Sequence, residues 1–248
     1  MAGHSKWANI KRHKAKQDAK RGKLYTKLIR EITISAKLGG GDANTNPRLR
    51  TALDKAQEAN MGRDVIDRAI KRGAGGMDGE TLDEVRYEGY GPGGTALIVD
   101  CMTNNRNRTV AEVRHALTKH GGNMGTDGSV AYLFKKQGQL IFAEGVDEEK
   151  LLEVALEAGA EDVMIHDDHS SEVITTPDTF LSIKTAMIAQ GFQPLEADVT
   201  MRAENQIVIE DPTIAERVVS LIDMLEDLDD VQVVYSNAEI PEAVLEQL

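Results

Sequence analysis

Apolar residues recur at helical spacing soon after the N-terminus: Leu24, Leu28, Ile32 and Ala36 fall on one face, with Lys23, Lys27, Arg30 and Lys37 turned outward. Gly39-Gly40-Gly41 ends that helix. Asn46 before Pro47 is an N-cap with proline at the first helical position, opening a second helix striped by Leu49, Ala52, Leu53, Ala56 and Ala59. A third, short helix turns Val65, Ile66, Ala69 and Ile70 inward and stops at Gly73. The pattern predicts a three-helix bundle over residues 24–76.

Beyond the glycine-rich hinge Gly73–Glu80 the period shifts to alternating strands and helices. Strands are expected at 84–89 and 95–102, joined by a hairpin turn at Tyr90–Gly94, then a helix from Thr109 to His120 and a strand near Val130–Phe134. The next stretch reads strand 138–143, helix 148–158, strands 162–166 and 171–175, helix 178–190 and strand 194–201. That order is βαββαβ, the split-βαβ or ferredoxin-like arrangement. A strand at 205–210, a helix opened by Asp211-Pro212 and a strand at 231–235 follow. The pieces flanking the βαββαβ unit complete each other, so the expected class is α+β multidomain: a bundle with a basic arm at 1–23, an α+β domain from 77–134 plus 203–248, and a ferredoxin-like domain inserted at 135–202.

Charge changes this picture most. Residues 1–72 hold 18 Lys and Arg against 7 Asp and Glu, whereas residues 135–248 hold 6 against 26. A chain polarised in this way suggests a nucleic-acid-facing end on a body that repels phosphate. The first 23 residues carry eight cations (Lys6, Lys11, Arg12, Lys14, Lys16, Lys20, Arg21 and Lys23) against Asp18 alone. Too few apolar groups accompany them to offset ordering entropy, so a mobile arm that orders on a polyanion is expected. Trp7, with His4 and His13 nearby, offers faces for stacking unpaired bases. Lys27 extends the basic run into the first helix. Arg106 and Arg108, in Thr103–Thr109 between a strand and a helix, are placed to grip phosphate at a helix N-terminus.

Other motifs carry less. The exposed face of the third helix mixes Arg63, Arg68, Lys71 and Arg72 with Asp64 and Asp67, and lacks the Asn or Gln that reads adenine in a major groove. The βαββαβ sheet, with 5 cations against 14 anions over 135–202 and no paired aromatics on its middle strands, is no RNA-recognition platform. Gly89–Gly94 leads into a strand rather than a helix, and Gly121–Ser129 has no Gly-Lys-Ser/Thr, so neither is a nucleotide loop. His166-Asp-Asp-His169 reads as a turn, and Glu226–Asp230 as a solvated helix end. Cys101, the single cysteine, has no evident catalytic partners. No metal, cofactor or small-molecule substrate is expected, and the chain is expected not to be an enzyme. No apolar run approaches membrane-spanning length and no secretory h-region follows the basic start, so a cytoplasmic protein is expected.

The opening Ala2-Gly-His-Ser-Lys-Trp-Ala-Asn-Ile-Lys-Arg-His-Lys14 resembles that of the YebC family. Gly89-Tyr-Gly-Pro-Gly-Gly94, Asn105-Arg-Asn-Arg-Thr109 and Gly121-Gly-Asn-Met-Gly-Thr-Asp-Gly-Ser-Val130 continue the resemblance in the same order over essentially the whole chain. Asn104 stands where many relatives carry Asp, leaving this loop less acidic. The resemblance implies three cytoplasmic domains of the kinds above and a regulator of gene expression. Members are described as probable DNA-binding transcriptional regulators. Mitochondrial relatives are translational activators, and bacterial ones are linked to ribosomes slowed at proline-rich stretches. The expected partner is therefore ribosomal RNA or DNA, with the ribosome preferred: a mobile stacking arm suits irregular RNA, and the third helix carries aspartates that repel a duplex.

Overall fold

A computed structural model describes residues 21–75, 82–166 and 168–248. The arm residues Lys6, Trp7, Lys11, Arg12, His13, Lys14, Lys16 and Lys20 lie outside the described residues, as does most of the hinge.

The three helices form as expected: α1 (Arg21–Gly39), α2 (Pro47–Glu58) and α3 (Arg63–Gly73). Arg21–Lys23, assigned to the arm by composition, already belong to α1. Leu28, Ile32, Leu49, Ala52, Ala56, Met61, Ile66 and Ala69 make the bundle core. Asn46 is buried and does more than cap α2. Its Oδ1 accepts the Leu49 N–H at 3.1 Å, while its Nδ2 donates to the carbonyls of Ser35 and Gly40, both at 2.8 Å. One amide thus fixes the α1–α2 turn. Gly73 closes the bundle for a different reason: a Cβ there would drive into the Thr33 carbonyl of α1.

The body is a four-stranded antiparallel sheet of order β3-β1-β2-β9, built from β1 (Asp83–Tyr90), β2 (Ala96–Thr103), β3 (Asn123–Met124) and β9 (Val231–Ser236). Helices α4 (Arg106–Lys119) and α7 (Pro212–Glu226) cover one face, where Leu97, Val99 and Cys101 meet Val113, Leu117, Leu221 and Leu225. α4 starts three residues ahead of expectation because Asn105 Oδ1 caps it, accepting the Arg108 N–H at 3.1 Å.

The expected strand at Val130–Phe134 does not form. Ala131–Leu133 is a single 3-10 turn, and Phe134 instead begins β4 (Phe134–Phe142), four residues before the strand predicted at 138. Packing decides this: Phe134 and Val130 sit with Ala96 and Ile98 on the second face of the body sheet. From there β4 and its partner β7 (Glu196–Ala203) run as one ladder, Phe134↔Ala203 to Ile141↔Glu196, carrying the chain out of the body and back.

Between them lie α5 (Glu148–Glu157), β5 (Asp162–Ile165), β6 (Ser171–Thr175) and α6 (Phe180–Ala189), giving βαββαβ with strand order β5-β6-β4-β7. Both helices pack on one face through Leu140, Phe142, Leu151, Val173, Ile183 and Met187. This is the ferredoxin-like arrangement, inserted in the body. The strand expected at 205–210 shrinks to β8 (Ile207–Val208), which pairs in parallel with β10 (Ala238–Glu239) beside a last helical turn, α8 (Glu242–Leu245). No helix of the described residues is long and apolar enough to cross a membrane.

Candidate nucleic-acid interface

Four basic residues, Lys23, Lys27, Arg30 and Arg108, converge on the segment read from sequence as a solvated helix end. Lys23, Lys27 and Arg30 lie at i, i+4 and i+7 on α1 and reach the C-terminus of α7. Lys23 Nζ donates to the Asp227 carbonyl at 2.7 Å and lies 3.4 Å from its carboxylate. Lys27 Nζ donates to the Glu226 carbonyl at 3.3 Å, and Arg30 donates to the Asp229 carbonyl. Exposed helix-end carbonyls carry the negative pole of α7, which suits three cations.

Asp230 at the end of this loop is 1% exposed. Its Oδ2 accepts from Arg108 Nη2 at 2.7 Å, Thr109 Oγ1 at 2.8 Å and Thr103 Oγ1 at 3.1 Å, and its Oδ1 lies 3.3 Å from Arg30. Burial pushes the carboxyl up, but the hydrogen bonds from Arg108, Thr109 and Thr103 outweigh it and hold the group below the usual aspartate range. Arg108 also donates to Asn104 Oδ1 at 3.1 Å, and Arg106 pairs with Asp83 at 3.1 Å. So Lys23, Arg106 and Arg108, expected to face phosphate, each have a carboxylate of the same chain beside them, and Lys27 docks on a helix-end carbonyl. Sequence offered no signal for Asp230, since an acidic turn before a strand looks solvated.

Further charge pairs join the bundle to the rest. Arg48 of α2 bridges Glu31 of α1 (2.7 Å) and Glu84 of β1 (2.5 Å), Lys55 meets Asp198 of β7 (2.5 Å), and Lys184 of α6 meets Glu58 (3.6 Å). The bundle's apolar cluster contains bundle residues alone. Between the three units lies a cleft of about 2480 Å³. Charge pairs line its walls, as in Arg86 with Asp100 at 2.7 Å.

Three other groups settle into structural places. Glu88 is buried, and its carboxylate accepts the N–H groups of Gly128 and Val130 at 2.7 Å and Ala131 at 2.8 Å. Burial raises it, but those three donors bring it below the ordinary glutamate range. The Gly121–Ser129 loop is thereby shaped around Glu88. Cys101 is buried and its thiol is pushed up to about 12, chiefly by burial, which leaves it protonated and inert as a nucleophile. His166 and His169 turn to different carboxylates, Glu172 at 3.3 Å and Glu148 at 3.2 Å. Among the described residues no group of three or more His, Cys, Asp or Glu is placed to hold a metal.

On α3, Arg68 is taken up within its own helix: its Nε donates to the Asp64 carbonyl at 3.0 Å and Nη2 lies 3.7 Å from that carboxylate. Two family models match, the "TACO1/YebC protein N-terminal domain" over residues 5–76 and the "TACO1/YebC second and third domain" over residues 82–238. The chain belongs to the YebC family. This YebC-family chain is 62% identical over 248 residues, the full length of both, to a "Probable transcriptional regulatory protein" of Francisella philomiragia. It is 61% identical, again over the full length of both, to a protein of the same name from Francisella tularensis strain SCHU S4. The crystal structure of a conserved hypothetical protein from Aquifex aeolicus superposes with a TM-score of 0.82 at 48% identity, covering 92% of this chain and 94% of that one. The α+β architecture is therefore that of the family.

Proposed function

We propose that the protein is a non-enzymatic nucleic-acid-binding regulator of gene expression, acting in the cytoplasm as a ribosome-associated translation factor through its basic N-terminal arm. The observation that carries this reading is the segregation of charge: eight cations against one carboxylate in residues 1–23, on a chain whose residues 135–248 hold 26 carboxylates against 6 cations. Counterion release gives such an arm affinity for any polyanion, and Trp7 and His13 add stacking that irregular RNA rewards more than a duplex does. Lys6, Lys11, Arg12, Lys14, Lys16, Lys20 and Arg21 form the contact, with Lys23, Lys27, Arg106 and Arg108 joining it where phosphate displaces their present partners. The units 24–76, 77–134 with 203–248, and 135–202 are the bodies that this arm delivers. Relief of stalling at proline-rich stretches is the activity that the family resemblance implies.

The relatives' name favours a second reading, a DNA-binding transcriptional regulator. Against it stand Asp64 and Asp67 on the outer face of α3 and the internal engagement of Arg68. One competition separates the two. Intact protein is offered ribosomes and an excess of mixed duplex DNA at roughly physiological ionic strength, where exposed charges are screened beyond about 8 Å, and is then sedimented. Travel with ribosomes, lost on deleting residues 1–20, is the expected result. Retention on a selected subset of DNA fragments overturns it in favour of the second reading.

A further inference from the structure

A second cationic surface lies on the acidic body. Among described residues 82–248, Arg86, Arg106, Arg108, Lys135, Lys184 and Arg202 each lie within 4.0 Å of a carboxylate. Among the described residues Arg114, Lys119, Lys136, Lys150 and Arg217 do not, although carboxylates outnumber cations over this part of the chain. Of these five, Arg114, Lys119 and Arg217 gather around one turn. Arg217 Nη2 donates to the His120 carbonyl at 3.0 Å, and its guanidinium lies so close over Gly121 that a Cβ there would collide with it. Arg114 reaches the other side of the same turn, with Nη2 3.9 Å from Met124 Sδ. His120 is held below the usual imidazole range by burial and then by Lys119 and Arg217.

The outer face of α4 is continuous with this cluster. Helical spacing brings Asn107, Ala111, Arg114 and Thr118 onto one exposed face without a carboxylate, and His115 and Lys119 onto the exposed side next to it. Glu112 sits on its flank beside Asp230, and Glu216 neighbours Arg217 on α7. At 1.5 Å per residue, Arg217 stands about 15 Å along α7 from Asp227, where Lys23 roots the basic arm. The geometry points to a phosphodiester-binding track: Arg114, Lys119 and Arg217, with the neutral donors of α4 between them, grip the sugar-phosphate backbone of a strand whose neighbouring stretch the arm holds. Like cations left together repel one another, and a polyanion relieves that repulsion while releasing counterions. Arg217 also caps the C-terminus of α4, so Arg114 and Lys119, both exposed, are the cleaner probes.

The inference rests on the nucleic-acid-binding reading, and one titration separates the two. The intact protein and its R114A/K119A variant are titrated with a fluorescent mixed-sequence single-stranded RNA and with duplex DNA, across roughly 50 to 200 mM salt. Two lost phosphate contacts should lower the salt slope on single strands by about 1.4, so the wild type's affinity falls about sevenfold more than the variant's over that range. R114E/K119E should bind more weakly still. Loss on RNA or on DNA supports the track and says which backbone it takes. Unchanged affinity and slope on both polymers overturns it while leaving the arm's role intact. A wild type that binds neither polymer overturns both.

Discussion

The bundle and the ferredoxin-like unit are attached to the same body by opposite means. The insert leaves it along the β4–β7 ladder, eight residue pairs long, and Phe134, Met201 and Ala203 at the root of that ladder pack on the body sheet. Hydrogen bonds and apolar contact make that joint indifferent to salt. The bundle instead meets its neighbours through Lys23, Arg30, Arg48 and Lys55 on carboxylates and helix-end carbonyls, and through Glu58 on Lys184, with no apolar cluster shared. Partly exposed pairs of this kind are individually weak and screened by ions. A polyanion offers the same cations a competing partner. The element expected to engage nucleic acid is thus the one whose seating nucleic acid can loosen.

The sharpest break in the comparison is Phe142→Ala. Phe142 is fully buried in the insert and meets Phe192 edge-on. The substitution should cost about 3–5 kcal/mol in urea unfolding, equally at low and high salt. Asp230→Ala comes next. It leaves two arginines and two threonine hydroxyls facing a vacated site, but Arg108 is 43% exposed on its side chain and water replaces part of the loss. About 2–3 kcal/mol is expected by the same measurement, with increased hydrogen exchange at the α4 N-terminus.

Asp230 and Glu88 also set an acid limit. Both carboxyls are held below their ordinary values in the folded chain, so the stability they contribute is present above the unfolded pKa values of about 4. It is lost as pH falls through the lower folded values. Thermal denaturation from pH 7 down to pH 3 should show that decline, and Glu88→Gln with Asp230→Asn should flatten it. Glu88→Gln alone should cost about 1–3 kcal/mol at neutral pH, because a neutral amide with one acceptor oxygen replaces a carboxylate whose two oxygens accept three N–H groups, that of Val130 buried. The smallest effect belongs to the bundle joint. Arg48→Ala should cost no more than about 1 kcal/mol. Yet the distance between labels on α2 and α5, read by energy transfer, should lengthen with added salt in the wild type and at lower salt in this variant. A distance constant to 1 M salt would mean the joint is held by something other than charge.

Much of the fold was legible along the chain. Helical stripes at Leu24–Ala36, Leu49–Ala59 and Val65–Ile70 gave the bundle, and the order of periodicities over 138–201 gave the βαββαβ unit. Misses fall where local pattern and packing conflict. Val130–Phe134 is apolar enough for a strand, but Val130 and Phe134 are drawn to the body sheet on either side of a turn. The two-residue strands β3 and β8 are too short to show a period.

Sequence by itself determined where charge accumulates, which residues cap helices, and which stretches bury a face, because each follows from neighbours a few positions apart. Only the tertiary structure decided what the cations meet. Arg108 finds Asp230 across 122 residues and Lys23 finds Asp227 across 204, and nothing local distinguishes an arginine awaiting phosphate from one already paired. The same holds for Arg114, Lys119 and Arg217: that no carboxylate among the described residues pairs with them is a property of the surface on which α4 and α7 come together. Coulomb energy depends on distance in space, and separation along the chain does not fix it.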